Sequence, residues 1–79
     1  MKGKTIPNKV KLQINAAGAW RDVLRFCTHD VDTDLVQQAA ANMVLHADSS
    51  GRTTLRLATD DARQTALIRW DMKRGWVEA

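Results

Sequence analysis

Tyrosine is absent from this chain of 79 residues, and phenylalanine and cysteine occur once each. A single cysteine, Cys27, excludes an intrachain disulfide, so a core, a ligand or a second chain must hold the fold. Neither CxxC nor HxxxH occurs, which removes the spacing that announces structural zinc. Proline occurs once, at position 7, and the four glycines stand apart at 3, 18, 51 and 75. There is therefore no low-complexity linker and no glycine loop to cradle phosphate, and no nucleotide or other cofactor is expected. No run reaches the roughly 18 apolar residues of a membrane span. The basic start Met1-Lys2-Gly3-Lys4 lacks the apolar centre of a secretory leader. The expectation is a cytoplasmic chain of bacterial or phage-like brevity, with no membrane partner.

What is present suits one small domain. An apolar fraction of 44% and a charged fraction of 27% lie far from the balance of a disordered chain. A chain of this size hides only about 60 to 65% of its unfolded surface. Self-association as a homodimer is the natural way to enlarge so small a core.

Residues 1–8 read as a flexible basic arm ahead of a single α+β domain over 9–79. Lys9-Val10-Lys11-Leu12-Gln13-Ile14-Asn15 alternates strictly, with Val10, Leu12 and Ile14 on one face. Ala16-Ala17-Gly18-Ala19 turns the chain into a second strand over 20–27. There Trp20, Leu24 and Phe26 share parity with Asp22, so Asp22 lies at an edge or a bulge shifts the register near Trp20. Asp32 or Thr33 can cap a helix over about 33–47, whose apolar stripe reads Leu35, Val36, Ala39, Ala40, Met43 and Ala47. A strand over 43–47 is the competing reading. A third strand follows over 53–58 and a fourth over 64–72. Lys73-Arg74-Gly75 fits a three-residue hairpin loop that would set Trp76 opposite Met72 before a short edge strand. The fold expected is α+β: one antiparallel sheet of four to five strands, β-β-α-β-β with a short C-terminal edge strand, packed on one helix. One helix cannot cover such a sheet, so apolar surface remains.

Catalytic and metal chemistry find little support. Cys27 and His29 stand two residues apart, but a metal needs further ligands, and a lone cysteine is usually a small buried apolar group. Asp30, Asp32 and Asp34 resemble the opening of a calcium loop, yet Leu35 and Ala41 occupy the places of its glycine and glutamate. No metal and no enzymatic activity is expected, and no catalytic residue is assigned.

Tryptophan and arginine are the stronger signal, because both are enriched where proteins bind proteins. The expectation is a non-enzymatic binding module, using Trp20, Trp70 and Trp76 with Arg25, Arg56 and Arg69 at a sheet edge or face. By parity Trp70 belongs to the core, while Trp20 and Trp76 lie nearer the edge. The alternative is nucleic-acid binding by the open sheet face, through Lys9, Lys11, Arg21, Arg25, Arg56 and Arg69.

Overall fold

Alternation carries the chain directly into its first strands. The computed structural model describes residues 9–16, 18–48 and 50–79, and the expected basic arm lies outside them. Strand β1 runs Lys9–Asn15 and β2 Trp20–Cys27, joined as a hairpin. Helix α1 spans Thr33–Ala47, so residues 43–47 finish the helix and form no strand. Strands β3 (Thr54–Thr59), β4 (Ala66–Asp71) and β5 (Gly75–Glu78) complete one antiparallel sheet in the order β2-β1-β3-β4-β5. The expected α+β architecture is present.

Polar side chains fix the joints between these elements. The Asp32 carboxylate accepts from the amides of Asp34 and Leu35, at 3.0 and 3.3 Å, and so starts the helix. At the other end Asp48 gathers the turn into β3. Its carboxylate accepts from the amides of Ser50 and Thr53 and from both of their hydroxyls. These bonds favour the charged form and hold the Asp48 carboxyl well below the usual range. Asp61 is lowered for the same reason, chiefly by the Thr59 hydroxyl, in the turn that leads into β4.

In the main core cluster Ala40, Ala41 and Val44 of the helix meet Leu12 of β1, Leu55 and Leu57 of β3 and Trp70 of β4. Small residues at 40 and 41 let the helix lie close to the sheet. Its orientation departs from the sequence expectation. Ala41 is buried and Gln37 half-buried, whereas Leu35 and Met43 are 60% and 51% exposed and Ala39 and Ala47 also face outward. The helix is turned by about one residue's step, roughly 100° at 3.6 residues per turn. The indole of Trp76 accounts for this sense of rotation: it packs against the core and its Nε1 donates to the Gln37 carbonyl at 3.1 Å.

The final hairpin closes one residue earlier than expected. Asp71 pairs with Gly75 and Trp70 with Trp76, so Met72-Lys73-Arg74 forms the loop and Trp76 does not face Met72. The Asp71 carboxylate accepts from the amides of Lys73 and Arg74, at 2.9 and 2.8 Å, which fixes that turn. Gly75 then adopts φ +72°, a left-handed conformation in which a Cβ would be strained.

Candidate functional site

Register separates the residues that the sequence grouped together. Trp70 and Trp76 are paired neighbours on the helix side of the sheet, and Trp70 belongs to the core. Trp20 pairs with Asn15 of β1 on the opposite, open side, half-buried beneath the Arg56 guanidinium at 4.3 Å from the ring centroid. The three indoles do not form one surface. Arg25, Arg56 and Arg69 share the open side with Trp20, and Arg56 and Arg69 are registered neighbours across β3 and β4.

A bulge in β2 produces part of this sorting. Leu12 pairs with Leu24 and Gln13 with Asp22, so Val23 is the extra residue on the β2 side. Asp22 and Arg25 consequently share the open face, while Val23 and Leu24 both turn to the helix side. Arg21 pairs with Ile14, a residue packed against the core, so it leaves the open face to which parity alone assigned it.

The open face is less cationic than its composition implies. Lys11 is only 5% exposed, with its Nζ 3.5 Å from an Asp22 oxygen. Arg25 lies 3.1 Å from Asp22 and 3.4 Å from Asp60. Gln13, 1% exposed, joins this group to Arg56: its Oε1 accepts from Arg56 Nε at 2.7 Å, and its Nε2 donates to Asp22 at 2.8 Å and to Gln64 at 2.9 Å. The Gln13 bond is the leading cause that lowers the Asp22 carboxyl below its ordinary value, with Lys11 and Arg25 adding to it. Lys9 is exposed at the start of β1. Arg69 and Arg74 border a depression of about 190 Å³ beside Trp20 and Asp71. Among the described residues no group of three or more His, Cys, Asp or Glu side chains is placed to hold a metal ion.

The helix side presents a different surface. Turning the helix towards Trp76 withdraws it from β2 and opens a groove of about 260 Å³. Val36, Ala39, Ala40 and Met43 form one wall, Val23 and Leu24 the other, and Leu12 the floor. Val23 and Leu24 are 45% and 47% exposed although they belong to a strand, because no helix residue reaches far enough to cover them. Sequence reasoning did not assign this site. Its signal was the adjacent apolar pair Val23-Leu24 next to Asp22, the residue whose parity conflicted with its neighbours.

No protein-family model, curated protein or solved structure matches the chain. Among the described residues no helix is long and apolar enough to cross a membrane.

Proposed function

We propose that this chain is a non-enzymatic protein-interaction module, and that its contact surface is the apolar groove between α1 and β2. One observation carries this reading: the groove is walled entirely by apolar residues, and it lies beside an eight-residue edge strand whose outer side pairs with no strand among the described residues. A contiguous exposed apolar patch bordered by polar residues is the usual mark of a protein contact. An unpaired strand edge adds main-chain donors and acceptors along the same border. The ion pairs of Lys11 and Arg25 with Asp22 and Asp60 weigh against phosphate binding as the main role, since they already satisfy those cations.

The test compares the parent chain with a Leu24→Glu, Met43→Glu variant as bait in affinity capture, a second copy of the chain counting as a partner. A protein retained by the parent and lost with the variant is expected, together with no binding of a short single-stranded oligonucleotide at low salt. Equal retention by both baits, or salt-sensitive oligonucleotide binding abolished by Arg56→Glu with Arg69→Glu, would contradict the reading.

A further inference from the structure

We infer that the occupant of the groove is a second copy of this chain, joined edge to edge through β2 about a twofold axis that passes between Val23 and Leu24. The inference rests on the reading of the groove as a protein contact and names its partner.

The bulge makes β2 symmetric in its faces. From Trp20 to Cys27 the side chains lie open, helix, open, helix, then helix, open, helix, open. These assignments follow from pairing with Asn15, Ile14, Gln13, Leu12, Lys11, Val10 and Lys9, and from the place of Val23 in the groove wall. Cross-strand neighbours must share a face. In a regular strand, pairing about an axis between two residues would oppose unlike faces at every step. Here the doubled helix-side pair Val23-Leu24 reverses that outcome, and all eight positions oppose their own kind. Axes through Asp22, Val23, Leu24 or Arg25 each bring unlike faces together within two residues. A bulge commonly blunts an edge against foreign strands, whereas this one selects a single self-pairing.

Charge follows the same symmetry. About the Val23/Leu24 axis, Asp22 of one copy opposes Arg25 of the other, twice, on the open face. Val23 opposes Leu24 on the helix face. The two grooves then meet side by side, so that Val23 and Leu24, each about half-exposed, lie beside their counterparts. A surface that contacts itself in this isologous way closes at a dimer. The opposite edge offers no equivalent, because β5 has only four residues.

Charge reversal separates pairing between copies from pairing within one. Asp22→Arg makes positions 22 and 25 both cationic, and Arg25→Asp makes both anionic. Each variant alone should weaken self-association by at least about tenfold, through like charges placed opposite each other. An equimolar mixture should form a one-to-one heterodimer, although neither chain regains its internal Asp22–Arg25 pair. Sedimentation velocity reads all three samples, and circular dichroism checks that each chain is folded. A mixture that stays monomeric while the parent dimerises would overturn the pairing. If Asp22→Arg fails to fold beside Lys11, Leu24→Lys replaces it: this substitution should yield a folded monomer, and an undiminished dimer would overturn the proposal. A parent that is monomeric throughout yet captures another protein through the groove would also overturn it, while leaving the interaction reading intact.

Discussion

At 1% exposure the Gln13 side chain is shut away from water, so both ends of its amide need partners within the protein. It finds them in Arg56, Asp22 and Gln64, and thereby ties β1 to β2, to β3 and to the turn before β4. Gln13→Ala should therefore cost about 1 to 3 kcal/mol in a denaturant titration, the penalty of leaving buried polar groups unpaired. Gln64, held at φ +48°, reaches Gln13 from a backbone conformation that non-glycine residues rarely adopt. Asp22, Asp48 and Asp61 give a second residue-scale prediction. All three carboxyls are lowered in the folded chain, so their stabilisation is complete above the unfolded carboxylate value near 3.9 and is lost as pH falls through the lower folded values. The thermal midpoint should stay level above about pH 5 and drop below about pH 4. Asp48→Asn should lower the midpoint at neutral pH and make the acid drop shallower. A midpoint independent of pH down to about 2 would contradict these assignments.

The elements themselves were legible in the sequence, because strict alternation over Lys9–Asn15 and an Asp cap before a helical run are local signals. The rotation of α1 was not. The stripe read there leaves out Ala41 and Val44, which are buried in place of Leu35, Ala39 and Met43, and the choice is made by Trp76, 39 residues from the Gln37 carbonyl it bonds, whose place depends on the register of the final hairpin. That register was in turn misread by one residue, since the Asp71 cap competes with the glycine signal for the turn. Parity suggested a bulge near Trp20 as one of two readings of Asp22; it lies at Val23, and its result, an apolar pair exposed beside the helix, needs the helix position to be seen. The rotated helix predicts unequal substitutions in dilute solution. Val44→Ala should cost about 1 to 3 kcal/mol, and Leu35→Ala no more than about 0.5. Equal costs would place the helix as the stripe alone suggested. Gly75→Ala should destabilise the final hairpin by about 1 to 2 kcal/mol, because the position is left-handed.

For the whole molecule the consequence is an imbalance between the two halves of the helix side. Towards β5, Trp70 and Trp76 close the core; towards β2, Val23, Leu24 and Met43 remain near half exposure around an apolar groove. A chain this short gains little stability from its own core, and covering that groove would extend the core across an interface. On the open face, by contrast, Lys11, Arg25 and Arg56 already have partners in Asp22, Asp60 and Gln13. Sedimentation equilibrium of the unmodified chain, from roughly 1 μM to 1 mM, tests the central claim most directly. The expected result is a mean mass that rises from 8.8 kDa towards twice that value and stops there. A mass of 8.8 kDa at every concentration would contradict the twofold pairing through β2.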